Sequence, residues 1–239
     1  MKAKAYTILI FIVLFATATQ TTSVYALSIN AQVEITQRLD VLLEFKNLAQ
    51  YEEIYGNGEI KILNETKNAI EGYLAQRKLS GYVSFDVNPV IFDNETKSVK
   101  IAFHIAGADV FHTEVNTEKA NKLCKVRTDW RNIRLSLSET AVFDLSRYFG
   151  IPVSQWQNST DNEGRMRFAS PTVSEIPESS FSFTLPASAK NIHFAADRDT
   201  ILFELPLNFE DQLLNSPILI LIVLIAIVCV LTIYNKITK

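Results

Sequence analysis

The sequence predicts an α+β fold, with mainly antiparallel sheet and two helices in one folded domain, followed by one transmembrane helix near the C-terminus. Residues 29–45 alternate between apolar and polar, and residues 64–79 place apolar side chains three or four positions apart. The first period is typical of a half-buried strand and the second of an amphipathic helix. The run from Ile218 to Tyr234 contains no charged residue, which indicates a membrane span.

Residues 29–45 are predicted to form one long strand. Fifteen of the seventeen positions obey strict alternation. At about 3.3 Å per residue such a strand would extend about 55 Å, which exceeds the usual length of a strand. We therefore expect a bend or a bulge near Gln37.

The remaining elements are predicted from periodicity and from turn residues. Gly56-Asn57-Gly58 breaks the chain before the helix at 64–79. Further along, we expect strands at 83–87, 99–105, 126–137, 180–185, 191–194 and 200–205, a polar turn at 93–96, a second helix at 139–148, and loops at 157–165 and 169–179. The order strand, helix, hairpin occurs twice, so residues 27–115 and 116–206 are candidates for two β-α-β-β halves.

The N-terminus has the three parts of a secretory signal peptide. Lys2 and Lys4 precede an apolar stretch at 6–18, which is followed by polar residues and by Val24-Tyr25-Ala26. Residues 1–26 are therefore predicted to be the signal, with cleavage after Ala26. An uncleaved anchor is the alternative, although thirteen apolar residues are few for a membrane span.

Residues 217–234 are predicted to form a single-pass transmembrane helix, with 235–239 as a cytoplasmic tail. At about 1.5 Å per residue, the seventeen residues from Ile218 cover about 25 Å. A buried core helix is the alternative, but a helix that is apolar on every side has no face for solvent. Lys236 and Lys239 follow the run, so we expect the C-terminus on the cytoplasmic side of the cell membrane and the domain at 27–210 outside the cytoplasm. Only about ten residues separate the last predicted strand from the run, and this short linker keeps the domain near the lipid surface.

The charge of the exported domain argues against binding to nucleic acid. The whole chain has a formal net charge of −3. Four of its 23 Lys and Arg residues lie in the terminal segments, whereas all 26 Asp and Glu residues lie between them, which leaves the domain at about −7. A general nucleic-acid binder needs a basic surface.

Cys124 is the only cysteine between the two apolar runs, since Cys229 lies inside the second. A single cysteine cannot form an internal disulfide, so the domain must be stabilised by its core. We predict that Cys124 is a buried small hydrophobic residue; a reactive or catalytic thiol is the alternative.

Three Asn-x-Ser/Thr sequons make the chain a candidate glycoprotein: Asn64, Asn94 and Asn158. Each is predicted to lie at a turn, in a loop or at a helix start, where an attached oligosaccharide would point into solvent.

Six basic residues are concentrated between Lys119 and Arg134, with Trp130 among them. Those considered for contact with an anionic surface, such as lipid headgroups, are Lys122, Lys125, Arg127 and Arg131. The alternative is a solvated strand face whose charges pair with neighbouring carboxylates.

The positions of the histidines and of Trp156 give no strong indication of a metal-binding, catalytic or ligand-binding role. His104, His112 and His193 show no metal-binding spacing, although His104 and His112 could approach Asp109 across a turn. We expect these three histidines to lie on strand faces that are exposed to solvent. Trp156 is predicted to close the edge of the core, with sugar stacking as the alternative. No catalytic motif, cofactor site or metal site is predicted.

The sequence therefore favours a membrane-anchored ectodomain that is a non-enzymatic interaction or structural module, with a partner in the envelope or in the same membrane. The alternatives are an enzyme that processes envelope glycans or peptides and an accessory subunit of a membrane complex. A deep pocket with converging carboxylates or histidines would favour the enzyme.

Overall fold

The structure is a computed structural model that describes residues 26–34, 38–116, 118–171 and 178–207, Asp211, and nine residues within 221–234. The predicted signal at 1–26 lies outside these residues except for Ala26. So do the tail at 235–239 and much of the predicted span at 217–234. The nine described residues of that span are helical. Within the described residues, no helix has both the length and the apolar character needed to cross a membrane.

The α+β class with mostly sheet and two helices in the domain is confirmed. The strands are β1 (Ala26–Glu34), β2 (Arg38–Lys46), β3 (Tyr82–Ser84), β4 (Val90–Asp93), β5 (Ser98–Ala106), β6 (Phe111–Asn116), β7 (Asn121–Arg127), β8 (Arg134–Ser136), β9 (Val142–Asp144), β10 (Gln157–Thr160), β11 (Met166–Ala169), β12 (Ser180–Thr184), β13 (Lys190–Phe194) and β14 (Thr200–Pro206). The helices are α1 (Tyr51–Gln76) and α2 (Leu145–Phe149), and two 3-10 turns lie at Asp129–Arg131 and Val153–Gln155.

In the described part of the chain these strands form three sheets. The largest has the order β10-β11-β12-β1-β2-β5-β3, and β4 also pairs with β5. All of its pairs are antiparallel except β1 with β12. The second sheet has the order β13-β14-β7-β6, and β8 pairs with β9. The first sheet takes strands from both predicted halves of the chain, and the duplication stays a hypothesis.

The prediction of one long strand at 29–45 is wrong, because β1 and β2 form an antiparallel hairpin. Ile29 lies opposite Leu43, and Val33 lies opposite Leu39. Every such pair joins two odd or two even positions, so the alternation continues through the hairpin on the same face of the sheet. A straight strand and this hairpin therefore have the same sequence pattern.

Helix α1 begins at Tyr51, not at residue 64 as predicted. Gly58 has φ 75° and ψ 165°, so the expected break at Gly56-Asn57-Gly58 occurs as a kink inside the helix. Glycine adopts such a positive φ at little cost. The buried residues of α1 after this kink are Ile62, Thr66, Ile70 and Leu74.

Other boundaries also differ from the predictions. The strand expected at 126–137 is the end of β7, a 3-10 turn and β8. The helix expected at 139–148 is β9 followed by the short α2, and the loop expected at 157–165 contains β10. The predicted strands at 180–185, 191–194 and 200–205 are confirmed as β12, β13 and β14, and the turn at 93–96 is confirmed. Residues 172–177 of the predicted loop at 169–179 lie outside the described part.

One core joins the sheets and α1. The odd-numbered residues of β1 and β2 are buried on the side of the large sheet that carries α1. Burial of each such aliphatic or aromatic side chain, relative to leaving it exposed to water, contributes about 1.5–3 kcal/mol to the free energy of folding. The even-numbered residues of these strands point to the other side, and that face carries the candidate site.

Candidate functional site: a polar groove across the large sheet

A row of polar side chains crosses six strands of the large sheet. Neighbouring members are register partners on adjacent strands, in the order Arg167, Thr184, Gln32, Asp40, His104 and Ser84. Because adjacent strands lie about 4.8 Å apart, this polar row extends about 24 Å, perpendicular to the strands.

A second row, two residues further along the strands, forms the floor of a groove. Its members are Ser182, Asn30, Leu42 and Ala102. Ala102 and Ser182 have short side chains, which leaves space above them. The resulting cavity of about 520 Å³ is lined by the second row and by all of the polar row except Ser84, and Asp161 and Arg165 also line it.

The groove continues beyond His104. A second cavity of about 690 Å³ is also lined by His104, together with Tyr82, His112 and Arg38. The two cavities therefore meet at His104. Tyr82 is exposed there and offers an aromatic face beside polar groups.

His104 lies between two carboxylates. Its Nδ1 is 2.6 Å from Asp40 Oδ1, and its Nε2 is 2.7 Å from Asp86 Oδ2. Both ring nitrogens donate only in the imidazolium form, so this geometry fits a histidine cation shared by two carboxylates. The side chain of His104 is 11% exposed, whereas that of Asp86 is 72% exposed.

The prediction of a solvated His104 is therefore wrong. The alternation placed His104 correctly on the polar face, but the loop after β3 brings Asp86 to the ring nitrogen Nε2. His112 and His193 are exposed, as predicted. Among the described residues, no three His, Cys, Asp or Glu side chains are arranged to hold a metal ion.

Arg167 differs from the other arginines of the groove. Arg38 Nε lies 3.0 Å from Asp40, and Arg165 Nε lies 2.8 Å from Asp161. Hydrogen bonds from the backbone and side chain of Arg165 lower the pKa of Asp161. Arg167 is exposed and has no ion pair within the described residues. Its guanidinium is therefore available to an anionic group in the groove.

The four basic residues considered for an anionic surface do not form one patch. Lys122 Nζ lies 2.5 Å from Asp211, and Arg127 Nε lies 2.7 Å from Asp129. Lys125 is exposed on β7. Arg131 cannot contact a surface, because its side chain is 0% exposed. The charges of this segment pair mainly with neighbouring carboxylates.

Arg131 is the centre of a buried cluster, which we call the Arg131 cluster. Its guanidinium donates five hydrogen bonds, at 2.7–3.0 Å, to the carbonyls of Phe149, Thr128 and Ile151, to Thr128 Oγ1, and to Asp199 Oδ1. Its Cζ lies 5.0 Å from the ring centroid of Trp156. Every N–H of the guanidinium thus has a partner in the protein.

The sequons occupy different settings. Asn64 lies inside α1, not at its start, and Thr66 of the same sequon is buried with its hydroxyl donating to the carbonyl of Ile62 at 2.8 Å. Asn94 is exposed in the turn after β4 and accepts from Tyr51 Oη at 2.6 Å. Asn158 is exposed on β10, which is an edge strand. Glycosylation at any of them stays a prediction.

The predictions for Cys124 and Trp156 are confirmed, since both are buried. Burial raises the pKa of the Cys124 thiol to about 11, so the thiol stays protonated near neutral pH. Trp156 packs against Phe181 with ring centroids 4.8 Å apart, at the edge of the core.

Asp40 and Asp86 are site residues that were not predicted from the sequence. A signal for Asp40 was present, because Asp40 and His104 both occupy polar-face positions of alternating strands. Asp86 lies in a short loop whose path is set by the tertiary fold.

Comparison of the chain with known protein families, with curated proteins and with solved structures finds no match in any of the three.

Proposed function

We propose that the chain is a membrane-anchored binding protein whose domain outside the cytoplasm holds an elongated polar partner in the groove. The observation that carries this proposal is the polar row, in which six strands contribute side chains to one open surface. The partner is an envelope component or a protein of the same membrane. An accessory subunit of a membrane complex differs from this only in the partner it binds.

The sequence and the exposure of the C-terminal residues support the anchor. Residues 218–234 include no charged residue, and the signal-like N-terminus directs the domain across the membrane. All nine described residues of the run, from Leu221 to Tyr234, are large apolar or aromatic residues with exposed side chains. Such an exposed apolar surface is costly in water and favourable in lipid.

The charges of the groove define the chemistry of the partner. Arg167 at one end provides an unpaired guanidinium for a carboxylate or another anionic group. Thr184 and Gln32 offer hydrogen-bond donors and acceptors along the middle. At the other end, the exposed carboxylate of Asp86 accepts hydrogen bonds from hydroxyl or amine groups. A long polar segment with one acidic group fits this order of side chains.

The convergence of Asp40, His104 and Asp86 is the observation that favours the enzyme alternative. Glycoside hydrolysis needs two carboxylates on either side of the scissile bond, with space between them. Here the imidazole of His104 occupies that space. Both of its nitrogens face carboxylates, so neither is directed at a nucleophile. The geometry is better suited to binding than to hydrolysis.

Photo-crosslinking in native membranes tests the proposal. A photoreactive amino acid placed at Gln32, in the centre of the groove, should give a discrete adduct. The matched control is the same amino acid at Asn68, which is exposed on α1 on the opposite side of the large sheet. Equal adducts from both positions, or none from Gln32, would contradict binding in the groove.

A further inference from the structure

The C-terminal end of the domain leaves the second sheet beside the turn between β6 and β7. β14 ends at Pro206, whose register partner is Asn121, the first residue of β7. β6 ends at Asn116, which pairs with the same residue. The exposed residues Glu118, Lys119 and Ala120 thus lie where the chain departs toward the predicted membrane span. We call these three residues the hairpin tip.

An ion pair shortens the connection between the sheet and the span. Lys122 Nζ lies 2.5 Å from Asp211 Oδ2, and the two side chains are 12% and 17% exposed. Twelve residue steps from Pro206 to Ile218 would reach at most about 42 Å if extended. With Asp211 held against β7, only seven steps remain to Ile218, which reach at most about 25 Å.

We infer that the hairpin tip, with Lys119 at its centre, is the surface of the domain that lies against the phospholipid headgroups. This inference rests on the proposed membrane anchor. The ion pair holds Asp211, seven residue steps before the span, at the start of β7 and about 16 Å from its far end at Arg127. Lys119 is exposed and has a single positive charge for a phosphate group. Leu123, two residues into β7, is also exposed and adds apolar surface near the same end.

Lys119 meets the membrane in place of the four basic residues considered from the sequence. Lys122 is occupied by Asp211, and Arg131 is in the core. Lys125 and Arg127 lie four and six residues beyond Asn121, about 13 and 20 Å along the strand. Lys119, which is outside the set of four candidates, lies closest to the membrane.

Tryptophan fluorescence in the full chain, reconstituted into vesicles with brominated phospholipids, tests the inference. The native Trp130 and Trp156 are 1% and 5% exposed, so bromine in the lipid quenches them little. Lys119→Trp should lose most of its added fluorescence. Ala196→Trp is the matched control, because Ala196 is exposed in the turn at the opposite end of β14. It should keep its fluorescence.

The ion pair gives a second test. Lys122→Asp in the Lys119→Trp background should reduce the quenching, because the longer tether lets the tip leave the surface. Adding Asp211→Lys restores the pair with reversed charges and should restore the quenching. Strong quenching of Ala196→Trp, or none of Lys119→Trp, in chains that float with the lipid would overturn the inference alone. A chain that does not float with the lipid would contradict the anchor as well.

Discussion

The Arg131 cluster and the His104 site both pair a basic side chain with carboxylate, one at Arg131 and two at His104, but they differ in what surrounds the charges. At Arg131, five donors meet five acceptors from the protein, and the side chain is fully buried. At His104, two ring nitrogens meet two carboxylates, and Asp86 remains 72% exposed. The guanidinium of Arg131 has no N–H group left to donate to another molecule, whereas the His104 site faces an open groove.

This difference separates a structural role from a binding role. A buried charge must have partners for all its polar atoms, since each unpaired one carries a large desolvation cost. Arg131 meets that condition within the domain, and it joins α2, the loop at Ile151 and the turn at Asp199. The carboxylates beside His104 retain lone pairs that a partner can use.

The largest effect is expected when Arg131 is replaced. Arg131→Met removes the guanidinium that pairs with the Asp199 carboxylate and donates to three carbonyl oxygens, although Asp199 Oδ1 keeps the backbone N–H of Val153. We therefore expect a loss of about 3–5 kcal/mol in the free energy of unfolding. Denaturant unfolding followed by tryptophan fluorescence measures this. A loss below about 1 kcal/mol would show that the cluster is not a structural centre.

A smaller effect is expected at His104. His104→Leu removes the hydrogen bonds to Asp40 and Asp86. Asp40 still forms its ion pair with Arg38, and the exposed carboxylate of Asp86 is still hydrated by solvent. We therefore expect a loss of about 1–2 kcal/mol in the free energy of unfolding, clearly less than for Arg131→Met. The same denaturation experiment compares the two. If His104→Leu costs as much as Arg131→Met, the distinction between the two regions fails.

The turn that presents Asp199 to Arg131 should be sensitive to acid. Burial acts to raise the pKa of Asp197, but hydrogen bonds from the Thr200 side chain and from the backbone of Thr200 and Asp199 outweigh it and lower the pKa. A lowered pKa in the folded state adds stability above the unfolded value of about 3.9, and this is lost as the pH falls through the folded pKa.

Asp197→Asn should therefore reduce stability at pH 7 and reduce the loss of stability between about pH 5 and pH 2. Thermal melting at a series of pH values measures both quantities. An unchanged slope in the variant would show that the ionised Asp197 does not stabilise this turn.

The alternation of residues 29–45 shows what could be predicted from the sequence and what could not. It identified the buried face of β1 and β2 correctly, because the side-chain period depends only on the local backbone. It did not reveal that the chain reverses direction between β1 and β2, because the hairpin pairs odd-numbered residues with odd-numbered ones and even-numbered with even-numbered ones. The polar face was thus predictable, whereas its division into two adjacent strands of the groove was not.

The two charged sites show the same limit. Arg131 was placed on a face of the strand predicted at 126–137 and was considered for an anionic surface because its neighbours are basic, but the chain turns at Asp129–Arg131 and directs the side chain inward. Its acceptors come from residues up to 68 positions away. Asp86 meets His104 through a loop conformation that has no periodic signal. Long-range polar contacts of this kind leave no linear pattern.

Replacing Arg167 tests most directly whether the groove binds an acidic polar partner. Arg167→Met should leave the free energy of unfolding within about 0.5 kcal/mol of the original, because the side chain is exposed and unpaired among the described residues. In native membranes, the adduct from the photoreactive amino acid at Gln32 should then fall to the level seen at Asn68. We expect a reduced adduct with unchanged stability. An undiminished adduct in the stable Arg167→Met chain would contradict the groove as a binding surface for an acidic polar partner.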